Sequence, residues 1–279
     1  MLITDAQAHL WKADSPDRPW PEGGASYAHG HGDYTKEQLI DEMERAGVGR
    51  AVLVPPSFEG DRNDVCLEAA QAHPDRFAVM GRIALDDPAS RELVPSWREQ
   101  PGMLGFRLTF SRLNHRSWLS DGTADWLFAA AEEAGLPIMI FAPGSTEAVR
   151  AIAQRHPDLK LTIDHLGINT ELRDEQIKGP IDEVITLASL PNVAVKASSL
   201  PAVVTEPYPY PSLHEQIRKV VDAFGPRRVF WGCDITRLPC TYRQGVTLFT
   251  EELDFLDDEQ LEWIMGRGIE TWLGWDVPR

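Results

Sequence analysis

The chain has 279 residues, 43% hydrophobic and 25% charged, which is ordinary globular composition with material for a large buried core. The formal net charge is −16 and no cluster of Lys or Arg stands out, which argues against nucleic acid as a partner. No apolar run approaches ~18 residues, so no membrane span is expected. The first residues lack the basic-then-apolar pattern of a signal peptide. Cys66, Cys233 and Cys240 are too few and too irregularly spaced for a disulfide framework or a zinc motif, and read as free thiols of a cytoplasmic protein.

Residues 2–10 read as a strand that alternates faces, with Asp5, Gln7 and His9 on one side. A loop rich in Pro, Gly and His follows, over residues 11–34. Thr35-Lys36-Glu37-Gln38 has the form of a capping box, and the helix behind it ends at Gly47. The cycle then repeats. Strands are expected at 50–54, 77–83, 103–108, 137–141, 160–165, 193–196 and 228–231. They are apolar without alternation, as parallel strands covered on both faces are. Helices are expected at 63–73, 89–99, 122–134, 146–155 and 181–190. Another is expected from a second capping-box form, Ser212-Leu213-His214-Glu215, to Gly225-Pro226. The apolar run 265–275 suits packing on the rest of the domain or on a second subunit, which leaves a homo-oligomer open.

Eight strands alternating with helical patterns are the mark of a (β/α)8 TIM barrel, here one domain over residues 1–279. The competing doubly wound sheet often carries a Gly-rich phosphate loop after its first strand, and none is present. In such a barrel the active site lies at the C-terminal ends of the strands. That rule gathers Gln7 and His9, Arg107, His165, Lys196 and Asp234 at one mouth. Polar side chains there are costly to bury without partners. His9 and His165 suit either metal ligation or polarising a carbonyl. Asp234 suits a general base on water. Arg107, and Arg237 beside Asp234, match a carboxylate with paired hydrogen bonds. Lys196 suits substrate binding or an ion pair, and Tyr208 and Tyr210 suit a pocket wall. His29, His31 and His214 are set aside as loop or helix-start residues.

Three stretches resemble strand motifs of the amidohydrolase superfamily. They are Asp5-Ala6-Gln7-Ala8-His9-Leu10-Trp11, Ile163-Asp164-His165-Leu166-Gly167 and Phe230-Trp231-Gly232-Cys233-Asp234. More narrowly the chain resembles the amidohydrolase 2 group, and Glu206-Pro207-Tyr208-Pro209-Tyr210 is close to its lactonase branch. The resemblance implies a hydrolase that opens a lactone or similar cyclic ester, carboxylated ones included. It implies Asp234 on the water, and His9 and His165, assisted by Gln7, on the carbonyl. The family's first motif normally has two histidines, and here Gln7 replaces one. Strand five ends Phe141-Ala142-Pro143 with no histidine. The expectation is therefore that no cofactor is required. A divalent zinc or manganese ion on His9, His165 and Asp234 is the alternative. That alternative goes with a metal-dependent decarboxylase of an aromatic or muconate-type acid. A barrel that only binds a ligand is the third reading. The expected partner is a small-molecule substrate.

Overall fold

A computed structural model describes residues 1–111 and 113–275, so that Arg112 and residues 276–279 of the expected domain lie outside the described residues. The eight strands are β1 (Thr4–Ala8), β2 (Arg50–Leu53), β3 (Phe77–Gly81), β4 (Met103–Thr109), β5 (Ile138–Phe141), β6 (Leu161–Ile163), β7 (Val193–Ser198) and β8 (Val229–Gly232). Each pairs in parallel with the next, in sequence order. Almost every strand residue is buried, as the unbroken apolar runs require of a sheet covered on both faces. The (β/α)8 barrel is thus the fold.

The seam between β8 and β1 is closed by two hydrogen bonds. Asp234 N donates to the Gln7 carbonyl at 2.9 Å, and Cys233 N donates to Asp5 Oδ1 at 2.9 Å. The Asp5 carboxylate thus stands in for a ladder carbonyl. It also accepts from Gln7 N at 2.8 Å and from the Tyr242 hydroxyl at 2.6 Å. The partnership with Tyr242, on the outer helix Tyr242–Thr247, changes the sequence reading of β1. Strict alternation put Asp5, Gln7 and His9 on one face. The β1–β2 register shifts between Asp5 and Ala8, and Ala6 packs in the barrel interior. This irregularity turns Asp5 away from the face that Gln7 and His9 share.

Most helix expectations hold within a few residues. Lys36–Ala46 begins with the Thr35/Gln38 capping box and ends at Gly47, whose φ of 80° suits a residue without Cβ. Two details differ. Residues Pro88–Glu99 form 3-10 turns instead of an α-helix, and the internal Pro95 removes a helical N–H donor. The helix Pro211–Phe224 starts before Ser212, with Pro211 in the first turn. Ser212 N and Oγ both donate to Glu206 Oε1, so the capping box read there is not used.

Apolar packing forms an outer layer between strands and helices and a smaller cluster inside the barrel. The inner cluster holds Val52, Ala78, Met80, Met139 and Phe230, and it is capped from below by Ile269, Leu273 and Trp275. The cap is anchored at the strand starts: Glu270 accepts from Thr4 Oγ1 at 2.7 Å and pairs with Arg50 at 3.0 Å. The apolar run 265–275 is therefore spent on the barrel itself. No helix among the described residues is long and apolar enough to cross a membrane.

Candidate active site

At the opposite end of the barrel the strand ends carry charge. Asp164, just past β6, pairs with Arg107 of β4 at 3.0 Å and with Lys196 of β7 at 2.8 Å. All three are buried, Lys196 completely. Burial works to raise the Asp164 carboxyl, but the two cations outweigh it and hold it at about 2. Burial draws Lys196 down, while Asp164 pushes it back up. Two cations share one carboxylate, so this cluster carries one surplus positive charge. Lys196 Nζ also donates to Gln7 Oε1 at 2.7 Å, and Gln7 Nε2 lies 3.2 Å from His9 Nε2. A Cβ at Gly232 would stand 3.1 Å from that of Gln7 and 3.0 Å from that of Ser198. A side chain there would press on both neighbours, and glycine lets β8 pass close without that strain.

Above this layer lies a cavity of about 240 Å³. His9, His29, His165, Asp234, Arg107 and Arg237 supply its polar lining, and Tyr27, Phe58 and Phe141 its aromatic walls. A larger hollow of about 640 Å³ beside Arg116 and Glu183 brings no histidine together with a buried carboxylate. A side compartment of about 170 Å³ shares His165, Thr170 and Arg237 with the cavity and adds Arg173, Leu200 and Val203.

The strand ends at this mouth turn sharply. His165, Ser199 and Asp234 follow β6, β7 and β8, and all three take positive φ, at 53°, 57° and 56°. For residues with a Cβ this costs roughly 1–2 kcal/mol each, and such strain concentrates at functional sites. Neighbouring hydroxyls hold them: Ser198 Oγ lies 2.8 Å from His165 Nδ1, and Ser199 Oγ donates to Asp234 Oδ2 at 2.5 Å. Burial keeps the His165 ring neutral by lowering it to about 4, although the Asp234 and Asp164 charges oppose this. Asp234 is 1% exposed. Burial works to raise its carboxyl, yet the balance leaves it ionised and below the ordinary carboxylate range.

His29 is the site residue that the sequence reading passed over. Its loop is folded over the mouth by Trp11, Trp20 and Phe58, which pack together. His29 meets His9 edge-on at 5.1 Å, and its Nδ1 lies 2.7 Å from Thr236 Oγ1. Burial lowers it to about 3, which leaves the ring neutral. Of the expected metal set, His9 and Asp234 are brought together, but the third member is His29 and not His165. Ligand atoms of His9, His29 and Asp234 lie within 4.8 Å of one another. Two imidazoles and a carboxylate form a zinc-type donor set with room for a further ligand. Asp234 Oδ1 is buried and has no hydrogen-bond partner among the described residues, so these residues fit a divalent ion.

Of the expected substrate contacts, Arg107 and Arg237 line the cavity and the others do not. Lys196 is sealed beneath it by Asp164 and Gln7. The Tyr208 hydroxyl reaches Thr247 and Glu252, both at 2.9 Å, and Tyr210 packs edge-on against Tyr208. Their loop leans on the outer helix layer instead of walling the cavity. Gln7 lies under His9 and outside the cavity lining.

Comparison with known proteins decides the family. An amidohydrolase family model matches residues 4–274. The chain belongs to the amidohydrolase 2 family. An L-fucono-1,5-lactonase of Burkholderia ambifaria is 27% identical over 235 residues, covering 82% of this chain and 79% of that protein. A 4-sulfomuconolactone hydrolase of Hydrogenophaga intermedia is 26% identical over 207 residues, covering 71% of this chain and 64% of that protein. Among solved structures, an amidohydrolase from Burkholderia multivorans with bound zinc superposes with a TM-score of 0.82. It covers all of both chains at 22% identity and is therefore a likeness of fold.

Proposed function

We propose that this family member is a hydrolase that opens lactones, and that its preferred lactones carry an anionic substituent. The observation that carries the reading is the pairing, in one cavity, of a buried ionised carboxylate with a neutral imidazole. Asp234 takes a proton from water as the water oxygen bonds to the lactone carbonyl carbon. The carbonyl π electrons move onto oxygen, where an N–H of the neutral His165 ring stabilises the charge. Collapse of the tetrahedral intermediate breaks the ring C–O bond, and the departing alkoxide recovers the proton from Asp234. The two lactone-named relatives support this chemistry. The anionic preference is supported by Arg107 and Arg237 at the cavity, in a chain whose net charge is −16.

When bound by His9, His29 and Asp234, a divalent ion supplies Lewis-acid polarisation of water or a carbonyl. The reading takes hydrolysis to proceed without one. The decarboxylase alternative is not favoured: its ligand set of His9, His165 and Asp234 differs from the group the fold assembles. The thiols of Cys66, Cys233 and Cys240 are free, which supports a reducing cytoplasm.

The test is hydrolysis of a panel of neutral and carboxylated lactones before and after exhaustive chelation. Turnover that survives chelation supports Asp234 and His165 acting alone. Turnover that vanishes and returns with zinc or manganese overturns the metal-independent reading. Asp234→Asn is expected to lose about 10²–10⁴-fold in kcat with an unchanged circular dichroism spectrum. Turnover near wild type would remove the base assignment.

A further inference from the structure

We infer that Lys196 is a positioning residue that acts through Gln7 on His9 and divides the labour between the two strand-end histidines. Hydrogen-bond direction fixes each group of the chain in turn. An ammonium can only donate, so the Gln7 atom 2.7 Å from Lys196 Nζ must be the carboxamide oxygen. This fixes the amide, and its NH₂ then faces His9 Nε2 at 3.2 Å. On its other side the His9 ring places Nδ1 2.6 Å from the Val54 carbonyl. A carbonyl can only accept, so Nδ1 carries the proton. Nε2 therefore carries a lone pair, which accepts the Gln7 N–H and for which a divalent ion would compete. The nearby Asp234 Oδ1, 3.3 Å from Nε2, is not aligned to hydrogen-bond with it, in keeping with two acceptors side by side.

His9 thus serves as an acceptor, locked on both ring nitrogens, and does not donate to a substrate carbonyl. That role falls to His165, whose Nε2 has no partner among the described residues. The lock runs from Asp164 through Lys196 and Gln7 to His9, across three strand ends. It gives the position where the family resemblance expects a histidine a different task, and it gives a buried lysine that touches no cavity a task in the reaction.

Two measurements test this. The first is the ¹⁵N–¹H long-range spectrum of the histidine rings in the full-length protein, with His9 assigned by His9→Gln. A proton on Nδ1 alone is expected, and a proton resident on Nε2 in the wild type overturns the inference. This arm needs no activity, so it stands apart from the lactone reading, on which the second arm rests. The second is a double-variant cycle with Lys196→Met and Gln7→Leu. Each is expected to lower kcat by on the order of 10²-fold, with KM little changed. The double variant should lose no more than the worse single, because both break one chain of contacts. Losses that multiply, or losses carried in KM, would return Lys196 to a substrate-binding or purely structural role. Should Lys196→Met fail to fold, the wild-type ring spectrum and that of Gln7→Leu still decide. In Gln7→Leu the His9 Nε2 resonance must shift if the contact exists.

Discussion

The two ends of the barrel interior are built from opposite materials. The lower end is apolar, with Val52, Ala78, Met80 and Phe230 closed off by Ile269, Leu273 and Trp275. The upper end, a few residues further along the same strands, buries Gln7, Arg107, Asp164, Lys196, His165 and Asp234. Below, close packing dominates, with the buried Arg50–Glu270 pair at the strand starts as its polar anchor. Above, buried polar groups need partners, and the fold supplies most of them by crossing from strand to strand, leaving Asp234 Oδ1 open at the cavity. The lower end therefore contributes stability and the upper end function, and the two should separate under mutation.

The largest effect on stability is expected where a shared partner is removed. Asp164→Asn leaves Arg107 and Lys196 buried beside a neutral amide. Loss of one partner of a buried pair costs about 3–5 kcal/mol. The variant should unfold at markedly lower urea, and its residual activity should fall with it because the Lys196–Gln7 contact is disturbed. At the lower end, Leu273→Ala should cost about 3 kcal/mol by leaving a cavity, with kcat within twofold of wild type. A Leu273→Ala variant that keeps its stability but loses turnover would erase the contrast.

That contrast also marks what could be read from the sequence. The barrel was legible because eight apolar runs alternate with capped amphipathic segments, and each signal is local. The residues at strand ends were legible for the same reason: His9, His165, Arg107 and Asp234 stand out against apolar neighbours. Four things were not. His29 sits in a long loop whose path is set by Trp11, Trp20 and Phe58, a contact between segments that no periodicity reveals. The outward turn of Asp5 depends on an irregularity in β1 that breaks the period-two rule. For Lys196 the sequence leaves substrate binding and an ion pair both open, because strand position says that a side chain points inward and does not say how deep it lies; the structure forms the pair, with Asp164. Tyr208 and Tyr210 fail likewise, since a loop after a strand can lean toward the mouth or away from it.

Protons sharpen the comparison further. His165 is buried as a neutral ring and lowered from 6.5 to about 4. The unfolded chain takes up a proton near pH 6.5 and the folded one does not. His165 therefore favours the folded state above that pH, and this contribution is lost as the pH falls towards 4. The loss amounts to about 3 kcal/mol for this group. In His165→Asn the difference in unfolding free energy between pH 7 and pH 4.5 should shrink accordingly. Leu273→Ala should leave that difference unchanged, because leucine does not titrate and Leu273 packs far from the His165 ring. Equal pH dependence in wild type and His165→Asn would show that the ring is charged when folded.

The smallest effect is expected at the rim. Arg237 is exposed, and its Nη1 lies 3.4 Å from His29 Nε2. A charge in that position is screened by salt and steers a ligand more than it holds it. Arg237→Gln should raise KM for carboxylated lactones by roughly tenfold at low ionic strength, equivalent to about 1.4 kcal/mol, and leave kcat in place. The same variant should not change KM for neutral lactones, and the difference should fade as salt is added. Arg107 is buried and shares Asp164, so a substitution there should impair both substrate classes and stability together. If Arg237→Gln instead lowered kcat for neutral and anionic lactones alike, its contact with His29 would outweigh its charge. The boundary between the reacting groups and the rim would then lie further out, at the loop that carries His29.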